Sequence, residues 1–257
     1  ETRVVEEVES LGGPVGRGIM TCARLGVAAQ FVGMVGTGFF TGRLRHWLAE
    51  AGIDHFLFEA EESWVGQHSI AIVTRKSGLR TLFWQPQPHA TADCIAEAIR
   101  RVNQADAVLL DCTDMDLCVA VANACRERGV PTVLDTGSFK PGVERIFDFA
   151  DHIIVPEKFL IKRFGVKYGT DVAEMLKVFA GESSASVVAV TQGDAGGFFW
   201  ARDSHSPCHY PAVSVQAKDT TGAGDVFHGA YVYGVAMGWE VERIIRFKNA
   251  GRLWKAF

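Results

Sequence analysis

Apolar residues occur in short unbroken runs along much of the chain. Phe31-Val32-Gly33-Met34-Val35 is one run, and Asp106–Asp111 (Asp-Ala-Val-Leu-Leu-Asp), 131–135 (Pro-Thr-Val-Leu-Asp), 152–155 (His-Ile-Ile-Val) and 187–191 (Val-Val-Ala-Val-Thr) are others. Runs without polar alternation predict strands buried on both faces. Between them the apolar positions fall at helical spacing, and glycine often closes the stretch. A helix is predicted over Val15–Leu25 ending at Gly26, another over Gly42–Ala51 ending at Gly52, and a third over 115–128 ending at Gly129. Further helices are expected over 91–103, about 157–164, 170–180 and Val226–Met237, with a short helical piece after strand 131–135. Strands alternating with helices predict an α/β fold: a mostly parallel sheet covered on both faces.

Residues 53–85 break this rhythm. Ser69–Arg75 and Leu79–Trp84 read as two strands around Lys76-Ser77-Gly78, a hairpin signal, and the region is a candidate β lid beside the main sheet. A second hairpin is predicted over 197–201 and 209–216. No repeat or low-complexity segment is visible, and 257 residues suit one domain.

Charge and cysteine usage narrow the class. The net charge is -4 and no Lys/Arg run occurs, which argues against a nucleic-acid partner. No apolar stretch approaches the ~20 residues that span a bilayer, and no signal peptide is evident. Six cysteines (Cys22, Cys94, Cys112, Cys118, Cys125 and Cys208) form no CxxC pair, so they read as buried thiols of a cytoplasmic protein. Position 1 is not Met, and the chain reads as lacking both natural ends.

The chemistry concentrates in Asp219-Thr220-Thr221-Gly222-Ala223-Gly224-Asp225, between a strand ending near Ala217 and a helix. Helix N-termini carry outward N–H groups and partial positive charge, and small residues let a phosphate approach the backbone. A carboxylate in such a cradle repels phosphate unless it faces an acceptor hydroxyl and takes its proton. Taken alone, the segment fits either an anion cradle with Asp225 as base or a capped helix whose dipole Asp225 complements.

This segment resembles the D-T-x-G-A-G-D signature of the ribokinase-like (pfkB-type) carbohydrate kinases. The resemblance implies a three-layer α/β/α sandwich with a small β lid that transfers a phosphoryl group from ATP, with Mg²⁺, to a sugar-like hydroxyl. It implies Asp225 as catalytic base, an anion hole of Gly222, Ala223 and Gly224, and Asp219 near a monovalent-cation (K⁺) site. Gly12-Gly13-Pro14 through Ala23-Arg24-Leu25-Gly26 is similar to the family's N-terminal signature and places Gly12 and Gly13 against the sugar. Thr191-Gln192-Gly193 resembles the turn lining the nucleotide phosphates, so Thr191, Gly193 and Thr221 are candidate nucleotide contacts. Phe247-Lys248-Asn249-Ala250 resembles the segment that sets Asn249 near adenine. The lid can also mediate dimer contacts in that family.

Several positions depart from the family pattern. Arg17 replaces the usual Asn: it reads either as a partner for an anionic acceptor, such as a sugar acid or sugar phosphate, or as a solvent-facing residue. Glu157 follows a strand where the family has N-x-x-E; it reads as a water-mediated Mg²⁺ contact or as an acidic first-turn residue. Gly36-Thr37-Gly38-Phe39-Phe40-Thr41-Gly42 lacks the family's acidic pair. The family's first strand and closing elements are expected outside residues 1–257. Two other functions compete: a sugar or nucleotide sensor on the same fold, and an NAD-dependent dehydrogenase using Gly36-x-Gly38-x-x-x-Gly42 with Glu59, Glu61 or Glu62 as its acid. His228 shares a helix face with Asp225 and reads as a satisfied core or surface histidine.

Overall fold

The structure is a computed structural model that describes residues 4–60, 64–66, 68–73, 80–140, 142–214 and 220–248. In chain order the elements are α1 (Pro14–Arg24), β1 (Gln30–Val35), α2 (Phe39–Glu50), β2 (Asp54–Glu59), β3 (Ser69–Val73), β4 (Arg80–Trp84), α3 (Ala92–Val102), β5 (Val108–Leu110), α4 (Met115–Arg128) and β6 (Thr132–Asp135). A short 3-10 turn at Val143–Ile146 follows. Then come β7 (His152–Pro156), α5 (Glu157–Phe164), α6 (Val172–Gly181), β8 (Val187–Thr191), β9 (Gly197–Ala201), β10 (Cys208–Tyr210), α7 (Ala223–Ala236) and α8 (Val241–Lys248).

Six strands form one sheet in the order β10-β9-β8-β7-β6-β5. Neighbours from β5 to β8 run parallel, while β9 and β10 are antiparallel additions. Alternate side chains sort to opposite faces. Val133, Ile154 and Ala189 join Tyr231, Val232 and Ile244 beneath α1, α7 and α8. Leu134, Ile153, Val155, Val188 and Val190 pack with Phe159, Leu176 and Phe179 under α3 to α6. Each such fully buried side chain stabilises the fold by about 1.5–3 kcal/mol relative to exposure. The three-layer α/β/α expectation therefore holds.

Local signals set the helix ends. Thr91 Oγ1 accepts the Cys94 N–H, Asp114 accepts those of Asp116 and Leu117, and Asp171 accepts those of Ala173 and Glu174, each capping a helix start. Buried Glu97 on α3 is neutralised by Arg101, with Nε to Oε1 at 2.6 Å, and by Arg100.

Two predicted helices start earlier than expected. α2 begins at Phe39 rather than Gly42, because Gly42 interrupts the period after the first turn, and α7 at Ala223 rather than Val226, because its first-turn residues Ala223, Gly224 and Asp225 carry no apolar period. Within residues 53–85, β2 pairs in parallel with β1. The separate lid ribbon is β3 with β4, paired Ser69↔Trp84 through Val73↔Arg80; its turn lies outside the described residues. The second hairpin is shorter than predicted: β10 ends at Tyr210.

Candidate active site

Strands β5, β6, β7 and β8 end on one side of the sheet, where loops and helix starts border a cleft of about 2260 Å³ that also runs between β1 and the β5 edge. Crevices at the carboxyl ends of parallel strands are the usual ligand positions in open α/β sheets. The cleft joins segments remote in sequence. Gly12, Gly13 and Arg17 come from the α1 entry, Ile70, Leu82 and Trp84 from the lid ribbon, Asp111 and Asp135 from strand ends, and Thr191 from the end of β8. Thr221, Gly222, Gly224 and Asp225 come from the start of α7.

Gly222 is the residue before α7 and adopts φ 82°, ψ 4°, the left-handed region that glycine enters without strain. The first-turn amides of a helix point out along its axis; in α7 that of Ala223 donates to Thr220 O at 3.1 Å, and Gly222, Gly224 and Asp225 line the cleft. A β-carbon at Gly222 would overlap the Arg17 guanidinium. Arg17 Nη1 donates to Thr221 O at 2.8 Å, Nε to Leu11 O at 3.2 Å, and Nη2 to Ser10 Oγ at 3.4 Å. The side chain is half-buried. It is thus not a solvent-facing residue, and its donors tie the N-terminal segment to the glycine turn.

Thr191 is half-buried at the end of β8, and Gly193 is exposed with φ 62° in the following turn. Glu157 opens α5 and accepts from Gln192 Nε2 at 3.3 Å. Among the described residues no three His, Cys, Asp or Glu gather as a metal cage. Asp219 and Asn249 lie outside the described residues. Ala223, Gly193 and Glu157 flank the cleft without lining it.

The structure adds residues that the motif did not bring forward. Asp135, at the end of β6, lies 3.0 Å through Oδ2 from His228 Nδ1, and both side chains are buried. Burial opposes the charge on each, but their attraction prevails. Asp135, also held by the Gly137 N–H, titrates below its ordinary 3.8, and His228 titrates above its ordinary 6.5. Asp111, at the end of β5, is pushed up chiefly by desolvation, against hydrogen bonds from Thr113. A signal for both carboxylates was present: each closes an apolar run, where strand ends meet a ligand crevice.

The thiols match the expectation of buried residues. Cys22, Cys94, Cys112, Cys118 and Cys125 are free and buried, with Cys208 exposed. Burial pushes Cys22 up to about 12 and Cys94 up to about 11, so both stay protonated. No helix among the described residues is long and apolar enough to cross a membrane.

A glycine turn at a helix start, at the carboxyl edge of a mostly parallel sheet with a β ribbon beside it, is a ribokinase-like arrangement. The chain belongs to the pfkB family of carbohydrate kinases, whose sequence profile matches residues 10–250. It is 26% identical over 252 residues to the bifunctional protein HldE of Azotobacter vinelandii, covering 95% of this chain and 52% of that protein. It is 27% identical over 276 residues to fructokinase-1 of Oryza sativa subsp. japonica, covering 95% and 81%. The chain therefore spans about half the length of the bifunctional relative. The ribokinase of Arabidopsis thaliana, solved with ribose and ATP, shares the fold with a TM-score of 0.78 at 22% identity, covering 96% of this chain and 85% of that one.

The dehydrogenase expectation is overturned by this family membership. Gly36 instead serves packing: a β-carbon there would overlap the backbone of Trp64, Val65 and Gly66. Glu59 meets Arg45 at 3.5 Å, and Glu61 and Glu62 lie outside the described residues.

Proposed function

We propose that this chain transfers the γ-phosphoryl group of ATP to a hydroxyl of a sugar or sugar-like molecule, with Asp225 as the base. The observation that carries this reading is the meeting of Arg17 and Thr221 across 204 residues, which sets the Gly12–Gly13 segment opposite the mouth of α7.

In the proposed step the acceptor lies against Gly12 and Gly13, beside Arg17. Asp225 takes the hydroxyl proton as the acceptor oxygen forms its bond to the γ-phosphorus. The bond from that phosphorus to the bridging oxygen breaks, and ADP leaves. Gly222, Ala223 and Gly224, with the N-terminus of α7, stabilise the charge on the transferring group. Thr191, Gly193, Thr221 and Asn249 hold the nucleotide.

Mg²⁺, when bound, would neutralise phosphate charge. Glu157 has one neutral amide contact, so its carboxylate can also accept from a water of a hydrated ion, which suits the few protein ligands Mg²⁺ takes. Asp219 is the candidate for a K⁺ site. The lid ribbon closes over the acceptor and excludes water. Ile70 and Phe83 share one face of the ribbon, both more than half exposed, and a second copy covers Phe83 there in the proposed dimer. Buried, protonated thiols suit a cytoplasmic setting.

ADP release from the full-length protein with Mg-ATP is the test, across sugars, sugar acids, sugar phosphates and nucleosides. Acceptor-dependent ADP is expected. ATP binding without turnover on any acceptor would replace the kinase reading with that of a sensor.

A further inference from the structure

His228 and Asp135 form an ion pair beneath the glycine turn, each 4% exposed, and no step proposed above uses either. His228 Nδ1 faces Gly224 O at 2.7 Å and Asp135 Oδ2 at 3.0 Å, while Nε2 faces Ile154 O at 3.4 Å. Two partners are carbonyls and the third is a carboxylate, so all of them accept. A neutral imidazole has one N–H and one lone pair, and the lone pair would face an oxygen in a dry site. Only the imidazolium donates from both nitrogens. The ring thereby joins α7 to the ends of β6 and β7.

The pair acts on one peptide unit. The carbonyl of Gly224 takes the hydrogen bond from His228. The N–H of the same unit belongs to Asp225 and points the opposite way, toward the mouth of α7. A charged donor on the carbonyl draws electron density from that N–H and strengthens it as a donor. The same contact fixes the backbone from which the Asp225 side chain hangs.

We propose that His228, held as an imidazolium by Asp135, is a positioning residue for phosphoryl transfer. It locks the Gly224–Asp225 peptide and polarises the Asp225 N–H toward the transferring group. This rests on the reading of the glycine turn as the transfer site. Other charged groups surround the pair: Asp111 from β5, Lys140 from the loop after β6, Lys158 from α5 and Asp225 from α7 itself. Asp135 is the carboxylate in hydrogen-bond contact with the ring.

Two measurements on the full chain separate failure of the pair from failure of the kinase reading. In ¹⁵N NMR of histidine-labelled protein without nucleotide, both His228 nitrogens are expected to carry protons at about pH 7. A neutral ring there overturns the proposal, whatever the turnover. With Mg-ATP and an accepted sugar, Asp135→Asn is expected to lower kcat about tenfold or more at about pH 8, with KM for ATP little changed. It is also expected to move the alkaline fall in kcat by at least about one pH unit toward acid. His228→Gln keeps a neutral donor and is expected to lose that fall altogether. Folded variants with undiminished kcat, or with lower kcat and an unmoved pH profile, overturn the positioning role. If the unaltered chain shows no turnover on any acceptor while its ring is doubly protonated, the transfer reading fails and the positioning role falls with it.

Discussion

Arg17 lies so close to Gly222 that a β-carbon there would overlap its guanidinium, whose Nη1 donates to the carbonyl of Thr221 at 2.8 Å. Gly222 also holds φ 82°, which side chains with a β-carbon rarely adopt. Gly222→Ala is therefore expected to destabilise the fold by about 1–3 kcal/mol. It is also expected to lower turnover at least ~100-fold, since the anion-binding backbone would be displaced. Urea unfolding and ADP release measure the two effects separately. Unchanged turnover would show that this turn does not hold the phosphoryl group.

Asp225→Asn preserves shape and removes the proposed base. Turnover is expected to fall at least ~100-fold while ATP affinity, measured by calorimetry, stays within a few-fold. Near-normal turnover would take Asp225 out of the base role.

The pair of Asp135 and His228 also sets a pH dependence of stability. The Asp135 carboxyl titrates lower when folded, so its contribution is complete above its ordinary 3.8 and is lost as pH falls through the lowered value. His228 titrates higher when folded, so its contribution is complete below its ordinary 6.5 and is lost as pH rises through the raised value. The pair stabilises most between those two ordinary values. Asp135→Asn is expected to cost about 3–5 kcal/mol there, with a smaller cost at alkaline pH where the unaltered chain has lost the charge on His228. Buried His152, held near a pKa of about 4, erodes stability as pH falls from 6.5 toward that value, but it does so in both proteins and cancels in the comparison. Urea midpoints across pH measure the difference. A cost independent of pH would show that the pair is uncharged.

Much of this arrangement is legible in the sequence because strand burial is written in unbroken apolar runs, and because the glycine turn needs small residues and an acid in a fixed order. Asp225 and Gly222 stand out through those constraints, and the Gly12–Gly13 segment through its resemblance to the family's N-terminal signature. Arg17 is harder to place: its partners are backbone carbonyls on a segment far along the chain, and carbonyls leave no mark in residue type. His228 is obscured for a related reason, since a helix position alone cannot tell an ion pair with β6 from an ordinary core histidine. β2 falls inside the span read as lid because Asp-His-Phe-Leu-Phe-Glu holds only three apolar residues in a row, which look alike whether the strand joins β1 or a free ribbon.

Helices α1 and α7 touch through Gly18 and Gly229, where a β-carbon on Gly229 would overlap Gly18 O. Gly229→Ala is expected to push the helices apart and destabilise the protein by about 1–3 kcal/mol. Because α1 carries Arg17 and α7 carries Asp225, turnover should fall further than the folded fraction does. Parallel losses in circular dichroism and ADP release would show that the contact serves stability alone.

Ile70 and Phe83 face each other across the lid ribbon and are 59% and 57% exposed. A two-stranded ribbon is marginal alone, and an exposed apolar strand pair invites a partner. Phe83→Ser is expected to shift a dimer toward monomer in sedimentation analysis. A sedimentation profile unaffected by the change would remove this face from any interface.

The Arg17–Thr221 bond closes a loop of 204 residues. Bringing such distant segments together carries a large ordering cost, and contacts of this separation form late in folding. A nascent chain that has emerged only as far as β8 would hold the acceptor-side glycines without the turn that carries Asp225. In the proposed reaction, phosphoryl transfer would therefore await synthesis of the α7 segment.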